Sequence, residues 1–167
     1  MRNKKTLQLT TLAFITAFAM ILSFVESRIP TFVAIPGIKV GLANIAVIFA
    51  LYKLGVKEAL AISMVRVLLI SMLFGSPVSL IYSISGATLS LLTMILLKKF
   101  TPLTEVTISV TGGVMHNVGQ IAAASFMLST NVVIYYLPFL LVSGTIAGVV
   151  VGIASAILIK RVKFNYR

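Results

Sequence analysis

The chain has 167 residues, of which 59% are hydrophobic and 10% are charged, and its mean hydropathy is +1.12. Soluble domains are about 45–50% apolar and about 25% charged, so this composition excludes a soluble globular domain and predicts one membrane-embedded domain. The sequence contains no Cys, which excludes disulfides, thiol catalysis and Cys-based metal sites. We interpret the net charge of +11 as Lys and Arg gathered in cytoplasmic loops, and we expect no nucleic-acid partner.

Six apolar segments follow one another along the chain. The run at 7–25 predicts the first helix, because it is too long for the apolar part of a typical signal peptide. The loop at 31–39 contains Pro36 and Gly37, and we expect this loop to fold back over the bundle. The other predicted helices are a short one and four longer ones, at 40–52, 58–74, 78–97, 106–128 and 133–159.

The basic residues predict how these helices are oriented. With six helices and a cytoplasmic N-terminus, 11 of the 14 Lys and Arg residues lie at cytoplasmic ends, whereas four or five helices would break this alternation. The eleven are Arg2, Lys4, Lys5, Lys53, Lys57, Lys98, Lys99, Lys160, Arg161, Lys163 and Arg167. The sequence therefore predicts an all-α integral membrane protein of the cell membrane, a single bundle of six transmembrane helices with both termini in the cytoplasm.

Small residues recur at helical spacing in three of the predicted helices. Small faces allow helices in a membrane to approach closely. We interpret the longer ladders in the fourth and sixth helices as internal packing; they are Ser79, Ser83, Gly86 and Ser90, and Gly144, Gly148, Gly152 and Ala156. For the shorter pair in the first helix, Ala13 and Ala17, docking of a partner protein is an open alternative.

Arg66 lies near the middle of the third predicted helix, where a charge costs at least about 2.5 kcal/mol in a bilayer. We therefore expect it to point into the bundle and to contact an anion, carbonyl groups or water. A structural ion pair is one interpretation. The only acids are Glu26, Glu58 and Glu105, and the last two lie at the predicted cytoplasmic edge. This scarcity favours the other interpretation, an anionic group of a ligand.

The fifth predicted helix carries a polar face. His116 and Gln120 are four residues apart and share this face, with Asn117 beside them and glycines at Gly113 and Gly119. Such a face can line a ligand cavity, or it can form interhelical hydrogen bonds worth about 0.6 kcal/mol each. One His without Cys or Asp does not complete a metal site, and we expect neither a metal nor another cofactor.

The predicted outer surface offers further polar groups. Glu26 and Arg28 can pair with each other, or the first loop, with Lys39 and then Asn44, can form a lid with polar contacts. The tyrosines of this region fit the aromatic belt at the membrane interface, with stacking on a ligand as the alternative. They are Tyr82, Tyr135 and Tyr136.

Several motifs of catalysis and energy coupling are absent from the sequence. No phosphate-binding loop is present, so we expect no ATP hydrolysis by this chain. The sequence contains no Asp, which excludes a Ser-His-Asp triad. Paired carboxylates do not occur in the middles of the predicted helices, which disfavours an autonomous ion-coupled carrier. These absences predict a passive binding subunit driven by other chains, and not an enzyme.

Five stretches of the sequence resemble the Gx transporter family, also catalogued as heptaprenyl diphosphate synthase component I. They are IPGIKVGLAN at 35–44, LGVKEAL at 54–60, RVLL at 66–69, LFG at 73–75 and HNVGQ at 116–120. The resemblance covers about residues 7–156. The family is in turn similar to the substrate-binding S components of energy-coupling factor (ECF) transporters, which are six-helix proteins of prokaryotic cell membranes.

The resemblance implies a mechanism and a set of residues. S components capture vitamins and related small molecules from outside, and a coupling transmembrane protein with two ATPase subunits drives their release inside. A small-residue motif on the first helix contacts the coupling protein, and Ala13 and Ala17 match it here. The first loop caps the pocket, and the outer halves of helices 4 to 6 line it. Expected ligand contacts are Lys39, Asn44, Arg66, Tyr82, His116, Asn117, Gln120 and Tyr135.

Two other functions remain open at the level of sequence. One is a membrane accessory of isoprenoid or quinone metabolism, and the other is a scaffold subunit of a quinone or flavin redox complex. A catalytic prenyl diphosphate synthase is excluded, because such enzymes hold Mg²⁺ through Asp-rich pairs and this sequence has no Asp and no clustered Glu.

Overall fold

The computed structural model describes residues 4–28, 41–130 and 132–162, and these residues are almost entirely helical. The six α-helices are α1 Lys4–Arg28, α2 Asn44–Lys53, α3 Val56–Phe74, α4 Pro77–Phe100, α5 Glu105–Leu128 and α6 Leu137–Arg161. A short 3-10 helix, Val132–Tyr136, precedes α6. Because these residues form six helices and no strand, the predicted all-α class is confirmed.

The second and sixth helices begin later than the sequence predicts. The backbone at Gly41 is left-handed, with φ +73°, and the Asn44 N–H donates to the Gly41 carbonyl at 2.8 Å, so α2 begins at Asn44 and not at 40. In α6, Pro138 occupies the first turn, where its missing N–H costs nothing. The residues before it form the 3-10 helix, so α6 begins at Leu137 and not at 133.

Among the described residues, three helical segments are long and apolar enough to cross a membrane by length and composition. They are Lys5–Arg28, Pro77–Phe100 and Val132–Arg161, so the membrane character of the chain is supported. α2 is apolar but has only 10 residues. The remaining helices, α3 and α5, contain more polar residues. α3 includes Lys57, Glu58 and Arg66, and α5 includes the polar face around His116.

α5 packs between α4 and α6 with very little space between the backbones. A Cβ added at Gly113 would lie 2.5 Å from the Gly144 carbonyl oxygen, and one added at Gly148 would lie 2.5 Å from the Val110 Cα. On the other side of α5, a Cβ at Gly119 would lie 2.8 Å from the Ser85 carbonyl oxygen. These contacts confirm the predicted packing role for Gly144 and Gly148 of α6 and for Gly86 of α4. The serines of the α4 ladder, Ser79, Ser83 and Ser90, also line a cavity.

α2 forms the centre of the apolar core. It packs against α1, α3 and α6, and residues 45–51 are buried without interruption, which means that every side of the helix is covered. A helix of this length spans about 15 Å, roughly half the hydrocarbon core of a bilayer. α2 therefore fills only one end of the bundle, and Ile48 is the deepest α2 residue that reaches the cavity at the other end.

Lys98 of α4 caps the end of α2. Its Nζ donates to the Leu51 carbonyl at 2.6 Å and lies 4.6 Å from the centroid of the Tyr52 ring. The last carbonyl groups of a helix carry partial negative charge and have no partner within the helix. Lys98 thus joins α4 to α2 at the end of the bundle where both helices terminate.

We expect Lys98→Met to destabilise the protein by about 1.5–3 kcal/mol, because a hydrogen bond from a charged donor is lost and a helix end is left uncapped. The measurement is the melting temperature of the detergent-solubilised protein. It is determined from the amount of protein recovered by size-exclusion chromatography after heating. Lys99→Met is the matched control, since Lys99 is exposed and lies 5.2 Å from the Phe100 ring. Equal melting temperatures for the two variants would contradict the capping role.

Candidate functional site

All six helices contribute to one polar cavity with a volume of about 460 Å³. It lies toward the end of the bundle where α1 ends and α3 turns into α4, and it reaches inward to Met94 and Ser109. This volume is within the range of about 300–1,000 Å³ that is typical of small-molecule pockets.

Arg66 extends from α3 into this cavity and meets the start of α2. Its Nη2 donates a long hydrogen bond of 3.5 Å to the Asn44 side-chain oxygen. The Arg66 Nε is buried and has no hydrogen-bond partner among the residues that the structure describes. The negative charge of Glu26 acts on the guanidinium from the end of α1, and Glu26 lines the same cavity. The site therefore combines one cation with one carboxylate.

Glu26 also contacts the chain three residues before the start of α2. The Gly41 N–H donates to the Glu26 Oε1, and only 9% of the Glu26 surface is exposed. This contact joins the end of α1 to the chain just before α2, on either side of segment 29–40, which lies outside the described residues. Arg28 lies with its guanidinium 4.9 Å from the centroid of the Phe24 ring.

His116, Asn117 and Gln120 line the cavity from α5. An added Cβ at Gly86 of α4 would lie 2.9 Å from the Gln120 Cγ and 3.0 Å from the His116 Cε1, so these side chains pack directly on α4. Asn117 faces α6, where its Nδ2 donates to the Leu140 carbonyl at 2.6 Å. Its amide group thus makes an interhelical hydrogen bond at the edge of the cavity.

Hydroxyl groups make up much of the remaining wall. Eight serines line the cavity, and they are Ser23, Ser27, Ser71, Ser76, Ser79, Ser83, Ser90 and Ser109. Some of these hydroxyls bond the backbone, as in the box at the start of α4, where Ser76 and Ser79 cap each other. Phe74 is the only aromatic side chain other than His116 among the described lining residues.

The structure brings together five of the eight predicted ligand contacts. Asn44, Arg66, His116, Asn117 and Gln120 all line the cavity. The remaining three lie elsewhere: Tyr82 on α4 is absent from the described lining, Tyr135 is 85% exposed, and Lys39 lies outside the described residues.

The two predicted docking residues lie on the outer face of α1. Ala13 and Ala17 are both exposed, whereas Ile15 and Ala19 of the same helix are buried against the bundle. Larger exposed side chains accompany them, including Phe14, which is 74% exposed.

The sequence-based interpretation missed Glu26 and most of the serines as members of the site. Glu26 was expected either to pair with Arg28 or to belong to a lid, and its distance of 40 positions from Arg66 in the sequence gives no sign of their proximity. Serines of α4 were identified only as a packing ladder. No group of three or more His, Asp or Glu residues suited to a metal occurs within the described ranges.

Comparison with known proteins identifies one family. A family model described as heptaprenyl diphosphate synthase component I matches residues 15–158, a range that includes every described cavity-lining residue. No curated protein and no solved structure matches the chain.

Proposed function

The chain belongs to the family described as heptaprenyl diphosphate synthase component I, and on that premise we propose that it is the substrate-binding S component of an ECF-type transporter. It captures a small molecule from outside the cell for ATP-driven uptake. It is not an enzyme and uses no cofactor. A coupling transmembrane protein and two ATPase subunits supply the energy.

The polar cavity is the observation that supports this function. Polar side chains in a membrane protein are costly unless they face protein or a wet cavity, and they mark sites of binding or transport. Here polar side chains of α1, α2, α3 and α5 line one partly open cavity. A scaffold subunit without a ligand would instead bury apolar side chains at this position.

The proposed orientation places the mouth of the cavity outside the cell. Six spans with a cytoplasmic N-terminus put the ends of α1, α3 and α5 outside, and the cavity lies toward that end. Basic residues gather at the opposite end, where Lys98 and Lys99 close α4 and Lys160 and Arg161 close α6. The positive-inside rule supports this orientation.

Single-cysteine labelling tests the orientation directly, because the natural chain contains no Cys. We expect a membrane-impermeant thiol reagent to label Val78→Cys and Leu128→Cys on intact cells, and to label Leu103→Cys only after permeabilisation. All three residues are exposed and lie near helix ends, with Leu103 in the α4–α5 turn. Labelling of the Leu103 variant on intact cells would contradict the proposed topology.

Native mass spectrometry of the protein purified gently from its own membranes tests the function. We expect a small molecule bound to the chain, and a coupling protein with two ATPases recovered in the same complex. Proteoliposomes of that complex should accumulate the identified molecule only with ATP. A chain that holds neither a small molecule nor these partners would contradict the proposal.

The family description favours a second candidate, a non-catalytic membrane accessory of isoprenoid or quinone metabolism. It predicts a prenyl or quinone lipid in the cavity and copurification with a soluble prenyltransferase. The same mass spectrum distinguishes the two candidates, because a prenyl lipid and a hydrophilic metabolite differ in mass and in extraction behaviour.

A further inference from the structure

Given the proposed capture function, on which this inference rests, we propose that the ligand is a small, non-aromatic, hydrophilic molecule whose carboxylate or phosphate group binds Arg66. The unused hydrogen-bond donors of Arg66 and the scarcity of aromatic side chains in the described cavity wall point to this class.

The charge of the cavity comes from two side chains. Among the described lining residues, Arg66 is the only Lys or Arg and Glu26 is the only acid. The Glu26 carboxylate accepts a hydrogen bond from the Gly41 N–H, so part of its capacity is used to hold the chain before α2. A cation in a low-dielectric interior favours a close anion. Because these two charges already balance, a ligand anion is favoured by the hydrogen-bond donors of Arg66 and not by the net charge of the cavity.

Arg66 has donor capacity that the described residues do not use. A guanidinium has five N–H donors in a planar fork. The described structure provides Nη2 with one bond of 3.5 Å to Asn44, and it provides Nε with none. Buried polar groups normally have partners, and the fork matches the paired oxygens of a carboxylate or phosphate.

The cavity wall combines polar groups with a larger apolar surface, and it contains few aromatic side chains. Eight serines, together with Asn44 and Gln120, present hydroxyl and amide groups. Planar aromatic ligands are typically held between aromatic side chains, but the described wall offers only Phe74 besides His116, while Tyr82 lies outside the lining and Tyr135 is largely exposed. A neutral prenyl lipid would leave the buried Arg66 Nε without a hydrogen-bond partner.

A probe panel tests the ligand class on the purified chain. Citrate and glycerol 3-phosphate represent hydrophilic anions, geranyl diphosphate represents an anionic lipid headgroup, and riboflavin represents an aromatic vitamin. Each probe is titrated by calorimetry and by displacement of the copurified molecule in native mass spectra. We expect citrate or glycerol 3-phosphate to bind the chain or to displace the copurified molecule. We expect riboflavin to do neither. Displacement by riboflavin alone, or by geranyl diphosphate alone, would overturn the proposed class.

Variants of Arg66 test its role in binding. We expect Arg66→Gln to weaken binding of the effective probe by at least about 30-fold, since truncating one partner of a buried charge pair has effects of this size. Arg66→Lys keeps the positive charge but loses the paired donors of the guanidinium, so it should bind the probe with intermediate affinity. If Arg66→Gln does not fold, Arg66→Lys provides the test. Arg28→Gln is the matched control, because Arg28 is exposed and does not line the cavity.

Different results would contradict this inference and the proposed capture function. If the purified chain holds no small molecule and no probe binds, the capture function fails, and the inference fails with it. If a copurified molecule proves to be aromatic or prenyl, or if Arg66→Gln and Arg66→Lys both bind the effective probe as the natural chain does, the inference fails while capture of a ligand stands.

Discussion

Replacement of Gly113 by Val is expected to prevent stable packing of α5 against α6. The first added atom would lie 2.5 Å from the Gly144 carbonyl oxygen and 3.5 Å from the Gly148 Cα, and both belong to backbone that cannot rotate away. Overpacking of a close-packed interior costs about 1–3 kcal/mol even where side chains can adjust. Here two helices must separate, so we expect a cost at the top of this range or above it.

Ala122→Val is the matched control for this substitution. It adds a branched side chain to the same helix, but at a position that is exposed on the outside of the bundle. The two variants are compared by yield of monodisperse protein and by melting temperature in the same detergent. We expect the control to match the natural chain and Gly113→Val to be lost or strongly destabilised. Equal behaviour of both variants would show that α5 and α6 pack less closely than the structure shows.

Much of the fold follows from the sequence, because apolar length and helix breakers are local properties. The run at 7–25 and the ladder of glycines at Gly144, Gly148 and Gly152 predict long helices and close contact, and the structure has both. The late starts of α2 and α6 were not predicted. They depend on the left-handed backbone at Gly41 and on a 3-10 helix before Pro138, which composition alone does not reveal.

The candidate site was predictable where a polar group is exceptional in its own helix. Arg66 in α3 and the His116 face of α5 stand out against apolar neighbours, and both line the cavity. Glu26 was not assigned to Arg66, because their proximity depends on how the end of α1 packs beside α3 and α2. Serines gave no signal either, since their small size suits helix packing and cavity walls equally well.

Small residues allow α5 to pack closely against both neighbouring helices and also to line the cavity. Glycines on two of its faces admit the backbones of α4 and α6, and this closeness brings His116 and Gln120 directly against Gly86. The Asn117 amide is used to hold α6 through Leu140. The same helix therefore fixes the bundle and presents polar groups to the cavity, so changes in its packing would also alter the shape of the site.

Replacement of Ala17 by Leu is expected to weaken docking of the proposed coupling protein while ligand binding by the isolated chain is unchanged. Ala17 and Ala13 are exposed on α1, on the face opposite the buried Ile15 and Ala19, and neither lines the cavity. In a membrane, small residues allow a partner helix to approach until the backbones are in contact. A Leu side chain at this position would hold a helix of the proposed coupling protein away, without contact to the cavity.

Reconstitution with the coupling protein and two ATPases measures both properties of this variant. Docking is read from copurification of the complex, and binding is read from the ligand retained by the chain alone. Ala61→Leu is the matched control, since it makes the same change at an exposed position of α3. We expect a loss of at least tenfold in complex yield for Ala17→Leu only, which corresponds to about 1.4 kcal/mol. Full docking by the Ala17 variant would exclude this face of α1 as the docking surface. Loss of docking in both variants would contradict a docking surface confined to α1.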